Sequence, residues 1–153
     1  MTSKGSWVEL LSDIVGTKRF GEAAILSMDG LTYGSTHGFR VRKKEFLLLN
    51  RSFLDPASMF EHGLPVNGRK YVGISANPKT LHAKSGPSGV ICVRARNCVL
   101  VATYYPPTSA PQALITLEEI STEVNIGMYK TDSIDANLLH SIKSRTKDGD
   151  DDD

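Results

Sequence analysis

The chain is short of most of the side chains that build catalytic, metal or membrane sites. Its 153 residues include two cysteines, four histidines and a single tryptophan. No apolar run approaches the ~20 residues of a membrane-spanning helix. The histidines, His37, His62, His82 and His140, fall in separate segments with no Cys or His at zinc-ligand spacing. None sits in a Ser-His-Asp or Cys-His arrangement. The glycines mark turns rather than strand-to-helix junctions, so no phosphate-cradling loop is present. These gaps exclude the common local signatures of an enzyme, a metal centre or a bound cofactor, and none of the three is expected. A net charge of only +1 and the lack of an RNA-binding motif argue against nucleic acid. Met1 to Ser6 are polar, without the basic and apolar stretches of a leader, so a cytoplasmic address is expected by default.

What is present suits one domain. The composition is 40% apolar and 23% charged, and a chain of this length buries roughly 68–70% of its unfolded surface. Cys92 and Cys98 flank a turn at Ala95-Arg96-Asn97. A cross-strand disulfide is conceivable there, but both lie in strand-like apolar runs, and buried thiols are the expectation. Charge is uneven. From residue 130 onward four Lys and Arg meet seven Asp, a net −3, whereas residues 1–129 carry fourteen cations against ten acids, a net +4. The body is mildly basic, which fits an acidic protein face or an anionic surface as well as plain solubility.

Ser6 followed by Glu9 has the form of a capping box and opens a helix through Trp7, Leu10, Leu11, Ile14 and Val15, with Gly16 as a left-handed stop. A tryptophan so near a chain end is either an anchor beneath that helix or half of an aromatic platform. Asp29-Gly30, between Glu22 to Met28 and Leu31 to Ser35, reads as a two-residue hairpin turn. Lys43 to Leu54 reads as a second helix, and Pro56 to His62, with Pro56 at the first position, as a short third. Alternating Val, Ile and Tyr over residues 64–66, 69–76, 80–84, 90–94 and 98–104, separated by Gly, Pro or Asn, predict an antiparallel meander. Gln112 to Met128, apolar at Leu114, Leu117, Ile120, Val124 and Met128, predicts a last helix. The fold class is therefore α+β, an antiparallel sheet on which the terminal helices share one face. Residues 131–153 form a polar, acidic extension expected to be disordered.

Ser6-Trp7 opening the chain, Ala23-Ala24-Ile25 before Asp29-Gly30, Gly68-Arg69-Lys70-Tyr71 before Ile74, and Gly89-Val90 leading to Val99-Leu100-Val101 together resemble the profilin family. The resemblance covers about residues 5 to 129 of a domain placed at 1–130. Gly16-Thr17-Lys18 and the run Val99 to Tyr104 look most like the divergent fourth vertebrate type. The resemblance implies short helices on the second sheet face, a monomer, and a cytoskeletal regulator of actin polymerization. Its partners would be monomeric actin, proline-rich proteins and phosphoinositides.

By that resemblance the actin-binding residues are Lys70, Ile74, His82, Lys84 and Glu119. Departures stand beside them: Ser75 replaces a family arginine, His82 another, and Ser109-Ala110-Pro111 replaces a flexible His-Gly-Gly. Lys70 and Lys84 are equally readable as solvated strand cations. Proline-rich ligands arrive in a preformed polyproline II shape and bind flat aromatic rings. The resemblance assigns Trp7, Leu10, Tyr33, Val124 and Tyr129 to that site, with Leu10 where a tyrosine is usual and Glu123 where animal members carry histidine. Arg40, Arg42, Lys43 and Lys44, the densest basic cluster, are the candidate lipid contact; the bland reading is a solvated helix start. The alternative function is a profilin-fold interaction module with weak or no actin binding, acting through lipids or other proteins.

Overall fold

A computed structural model of the protein describes residues 6–129. The expected extension at 131–153 lies outside the described residues. In chain order the elements are α1 (Trp7–Gly16), β1 (Glu22–Leu26), β2 (Thr32–Ser35), α2 (Lys43–Ser52), α3 (Pro56–His62), β3 (Leu64–Val66), β4 (Arg69–Ala76), β5 (Thr80–Ser85), β6 (Ser88–Arg94), β7 (Val99–Tyr104) and α4 (Ala110–Asn125). The strands form one seven-stranded antiparallel sheet in the order β2-β1-β7-β6-β5-β4-β3.

The period-2 alternation of the strands sorts their side chains into two cores. Ala23, Ile25, Ile91, Val93, Leu100, Ala102 and Tyr104 pack with Trp7, Leu10 and Ile14 of α1 and Leu117, Ile120 and Val124 of α4. The intervening residues, among them Ala24, Leu26, Val90, Cys92, Val99 and Val101, pack with Phe46 and Leu49 of α2 and Met59 of α3. The terminal helices thus share one face, and the two short helices cover the other. Cys92 and Cys98 are both buried, one in each core, and no disulfide joins them.

Local chemistry departs from expectation at three ends. α1 is not stopped by a left-handed Gly16; Thr17 caps it in the right-handed region and Lys18, at φ 64°, makes the turn. At its start Ser6 Oγ accepts from the Val8 amide. The first hairpin is longer than two residues because Ser27 Oγ accepts from the amides of both Asp29 and Leu31. There Gly30 alone takes a positive φ, 92°. The last helix begins at Ala110 and ends at Asn125, since Ser109 and Gln112 form a reciprocal capping box, Ser109 N–H to Gln112 Oε1 at 2.9 Å and Gln112 N–H to Ser109 Oγ at 3.3 Å. Asn67 and Gly68 both adopt positive φ, 53° and 80°, as a type I′ turn requires.

Candidate partner-binding faces

β4 and β5 extend past the area that α4 covers, leaving apolar side chains in solvent. Val72 is 67% exposed and Ile74 49%. Lys84 stands directly across from Val72 in the β4–β5 register. Lys70, two residues before Val72, is also exposed. On α4, Ile115 (57% exposed) and Glu119 share a face by their i, i+4 spacing. The neighbouring Glu118 fastens that helix to the sheet by accepting a 2.8 Å hydrogen bond from Thr80 Oγ1 on β5. Four of the five residues expected at the actin face, Lys70, Ile74, Lys84 and Glu119, are therefore presented to solvent or half so. Val72 and Ile115 join them; the signal that could have found them is a large apolar side chain at a position whose neighbours in the pattern face out.

His82 does not belong to that open set. It is 4% exposed, and its Nε2 shares a 2.7 Å hydrogen bond with the Tyr104 hydroxyl. Burial, and then the Lys84 charge, hold its pKa below the usual histidine range. The resemblance puts His82 at the actin face in place of a family arginine; here the strand carries the ring beneath Tyr104, where a neutral imidazole is favoured.

A second constellation lies where α1, β2 and the segment after α4 meet. The Trp7 and Tyr33 rings stack with centroids 4.2 Å apart and planes 22° from parallel. Trp7 is 1% exposed, and its Nε1–H has no hydrogen-bond acceptor. Tyr129 is buried, and its hydroxyl donates to Asp13 Oδ2 at 2.6 Å, tying the chain after α4 to α1. Burial, the bond to Asp13 and the charges of Asp13, Glu123 and Glu9 push that phenol far above the usual tyrosine range. Leu10 and Val124, expected beside these rings, are wholly buried core residues. Only Tyr33 of the five is half-buried; the other four face inward.

The basic cluster before α2 is partly structural. Arg42 pairs with Glu45 at 3.8 Å, and its guanidinium lies against Gly68. The Arg40 amide donates to Asn67 Oδ1 at 3.2 Å, whereas Lys43 and Lys44 are exposed. Glu45, which sequence reasoning passed over, is buried and accepts from the amides of Arg42, Asn67 and Gly68 at 2.9, 2.8 and 2.8 Å. Among the described residues no group of three His, Cys, Asp or Glu could hold a metal ion, and no helix is long and apolar enough to cross a membrane.

Comparison with known proteins places this architecture. The family model for profilin matches residues 5–125. The profilin of Schizosaccharomyces pombe is 31% identical over 118 residues, covering 76% of this chain and 92% of its own. A crystal structure of S. pombe profilin superposes with a TM-score of 0.69 at 32% identity, covering 79% of this chain and 98% of that one. Acanthamoeba castellanii profilin IB superposes with a TM-score of 0.71 at 28% identity, covering 74% and 91%. With the family model matched over residues 5–125 and a relative 31% identical that is covered over 92% of its own length, the chain belongs to the profilin family.

Proposed function

We propose that this chain binds monomeric actin and regulates actin assembly in the cytoplasm, acting as a binding protein rather than an enzyme. The observation that carries this reading is the exposed pair Val72 and Ile74 on β4, with Lys70 on the same strand and Lys84 across from Val72 on β5; Ile115 and Glu119 are likewise exposed on α4, the helix that Glu118 ties to Thr80 of β5. An apolar centre with charges at its rim is the anatomy of a protein interface. Two more distant chains of the same fold have been solved with partners: LokiProfilin2 with rabbit actin, and mouse profilin IIa with a double repeat from the FH1 domain of mDia1. At 16% and 15% identity they share the fold alone, so the assignment rests on the face itself.

Calorimetric titration with monomeric actin tests it. Binding is expected in the micromolar range, with Lys84→Glu slowing association and Val72→Asp weakening the complex about tenfold or more. Actin assembly kinetics unchanged by tens of micromolar protein would remove the reading and leave the alternative, a profilin-fold module that acts through other proteins or lipids.

Proline-rich ligands form a second reading, favoured by one feature. The Trp7 indole N–H is buried without an acceptor beside a stacked ring, and an unsatisfied donor of this kind calls for a partner. A ligand carbonyl would supply it once the corner opens. Polyproline is expected to alter Trp7 fluorescence; an unchanged spectrum at millimolar proline would leave Trp7 as an anchor alone. Phosphoinositide contact at Arg40, Arg42, Lys43 and Lys44 belongs to the same proposal and is supported by the exposure of Lys43 and Lys44.

A further inference from the structure

The negative charge of residues 130–153 is gathered at positions 148–153. Residues 130–147 hold four cations and two acids, a net +2, whereas residues 148–153 hold five aspartates and no cation, a net −5. A short polyanionic stretch thus follows an eighteen-residue connection to the domain.

The described surface offers a cationic hollow to match. Where the β4–β5 turn, the β6–β7 turn, Met28 and the end of α4 meet, an open depression of about 560 Å³ is lined by Met28, Lys79, Arg94, Ala95, Arg96 and Asn125. Three of the six are cations and none is an acid. Their backbone is held in place. Asn77 Oδ1 accepts from the amides of Lys79 and Thr80, both at 2.8 Å, and the Arg94 amide donates to the Lys79 carbonyl at 2.8 Å. The Arg96 amide donates to Asn125 Oδ1 at 2.6 Å, joining the β6–β7 turn to α4. Among the described residues, Lys79 and Arg94 have no carboxylate within ion-pairing distance. The basic cluster before α2 differs, since Arg42 is paired with Glu45.

Position and reach agree with charge. Asn125, in the lining, is four residues before Tyr129, so at most roughly 14 Å of chain separates it from the last described residue. Residues 130–147 can span up to roughly 60 Å, enough to carry residues 148–153 back to the depression with chain to spare. The root of that connection is itself acidic. The Tyr129 hydroxyl donates to Asp13, and Glu123 and Glu9 stand close enough for their charges to act on it, so an acidic stretch is repelled there.

We propose that residues 148–153 dock in this depression, their aspartate carboxylates on Lys79, Arg94 and Arg96, so that the chain plugs its own cationic hollow. Guanidinium forks take carboxylate oxygens in pairs, which suits two arginines set against a run of aspartates. Single exposed ion pairs are weak, but the connection makes pairing intramolecular at an effective concentration on the order of millimolar, where several weak pairs together suffice. The hollow is then open only to partners that outcompete five carboxylates. It shares no residue with the proposed actin face, so the two readings stand or fall separately.

A nitroxide on Gly149→Cys in the isotope-enriched full chain tests the docking by paramagnetic broadening of backbone amide signals. Cys92 and Cys98 are buried, which leaves the introduced thiol as the reactive one. Broadening is expected to be strongest at Thr80, Ala95 and Asn97. It should fall several-fold at 1 M salt, where the screening length is about 3 Å, and equally in Lys79→Gln/Arg96→Gln, while Lys43→Gln/Lys44→Gln leaves it unchanged. The remaining amide spectrum shows that each variant is folded. Broadening that is absent, spread evenly, centred on Lys43 and Lys44 or on Lys70 and Lys84, or retained without Lys79 and Arg96 would overturn the inference. So would equal broadening of an enriched, unlabelled chain mixed with a spin-labelled one, which would make a second copy the occupant.

Discussion

A Cβ on Gly89 would lie 2.4 Å from the Tyr104 ring, a distance no side chain tolerates, so glycine is what lets that ring lie flat across β6. Lying there, Tyr104 reaches from β7 over β6 to His82 on β5 and closes the 2.7 Å bond. The sequence showed a histidine where the family carries a cation, but nothing local marked its burial, because that depends on a glycine seven residues later and a tyrosine twenty-two later. The consequence is a pH dependence. His82 has a folded pKa below its unfolded value near 6.5. The unfolded chain therefore takes up its proton first as pH falls, and stability fully present above about pH 6.5 declines from there down to the folded pKa. Melting temperatures are expected to drop by a few degrees between pH 7.5 and 5.5, and by less in His82→Gln. Parallel curves for the two proteins would show that His82 does not carry the effect.

Elements were legible in their interiors and less so at their ends. Strands with period-2 alternation and Gly, Asn or Pro between them fell where expected, since burial on two faces writes itself into the pattern. The ends depend on single hydrogen bonds: Ser109 with Gln112 was hidden by Pro111 between them, and α1 passed through Gly16 because Thr17 Oγ1 could reach the Ile14 carbonyl at 2.8 Å. Glu45 is the strongest case. Its partners at Asn67 and Gly68 lie 22 and 23 residues away, beyond any local window, yet one carboxylate joins the start of α2 to the β3–β4 turn. Glu45→Ala leaves those amides without an acceptor and is expected to cost about 1–3 kcal/mol. Urea denaturation measures it, and a midpoint matching the unchanged protein would mean that water satisfies the turn equally well. Of the two candidate faces, the charged rim was readable from family positions. The inward turn of Leu10 and Val124 was not, since their apolar character fits a groove and a core alike.

At the scale of the whole molecule, charge is divided in a way the fold does not disclose. Residues 1–129 carry +4 and residues 130–153 carry −3, so removing the latter raises the net charge from +1 to +4 without touching any described residue. The proposed actin face presents Lys70 and Lys84, and its expected partner is acidic. Long-range attraction acts on encounter before contacts form, so it alters association more than dissociation. It also fades once the Debye length, about 10 Å at 0.1 M salt and 3 Å at 1 M, falls below the separation of the charges. A chain ending at Tyr129 is therefore expected to associate with monomeric actin several-fold faster than the full chain at low salt. The two rates should converge as salt approaches molar concentration, with dissociation little changed. Stopped-flow measurement across a salt series checks this. A difference that persists at high salt, or that resides in dissociation, would mean that residues 130–153 act by contact rather than by their charge.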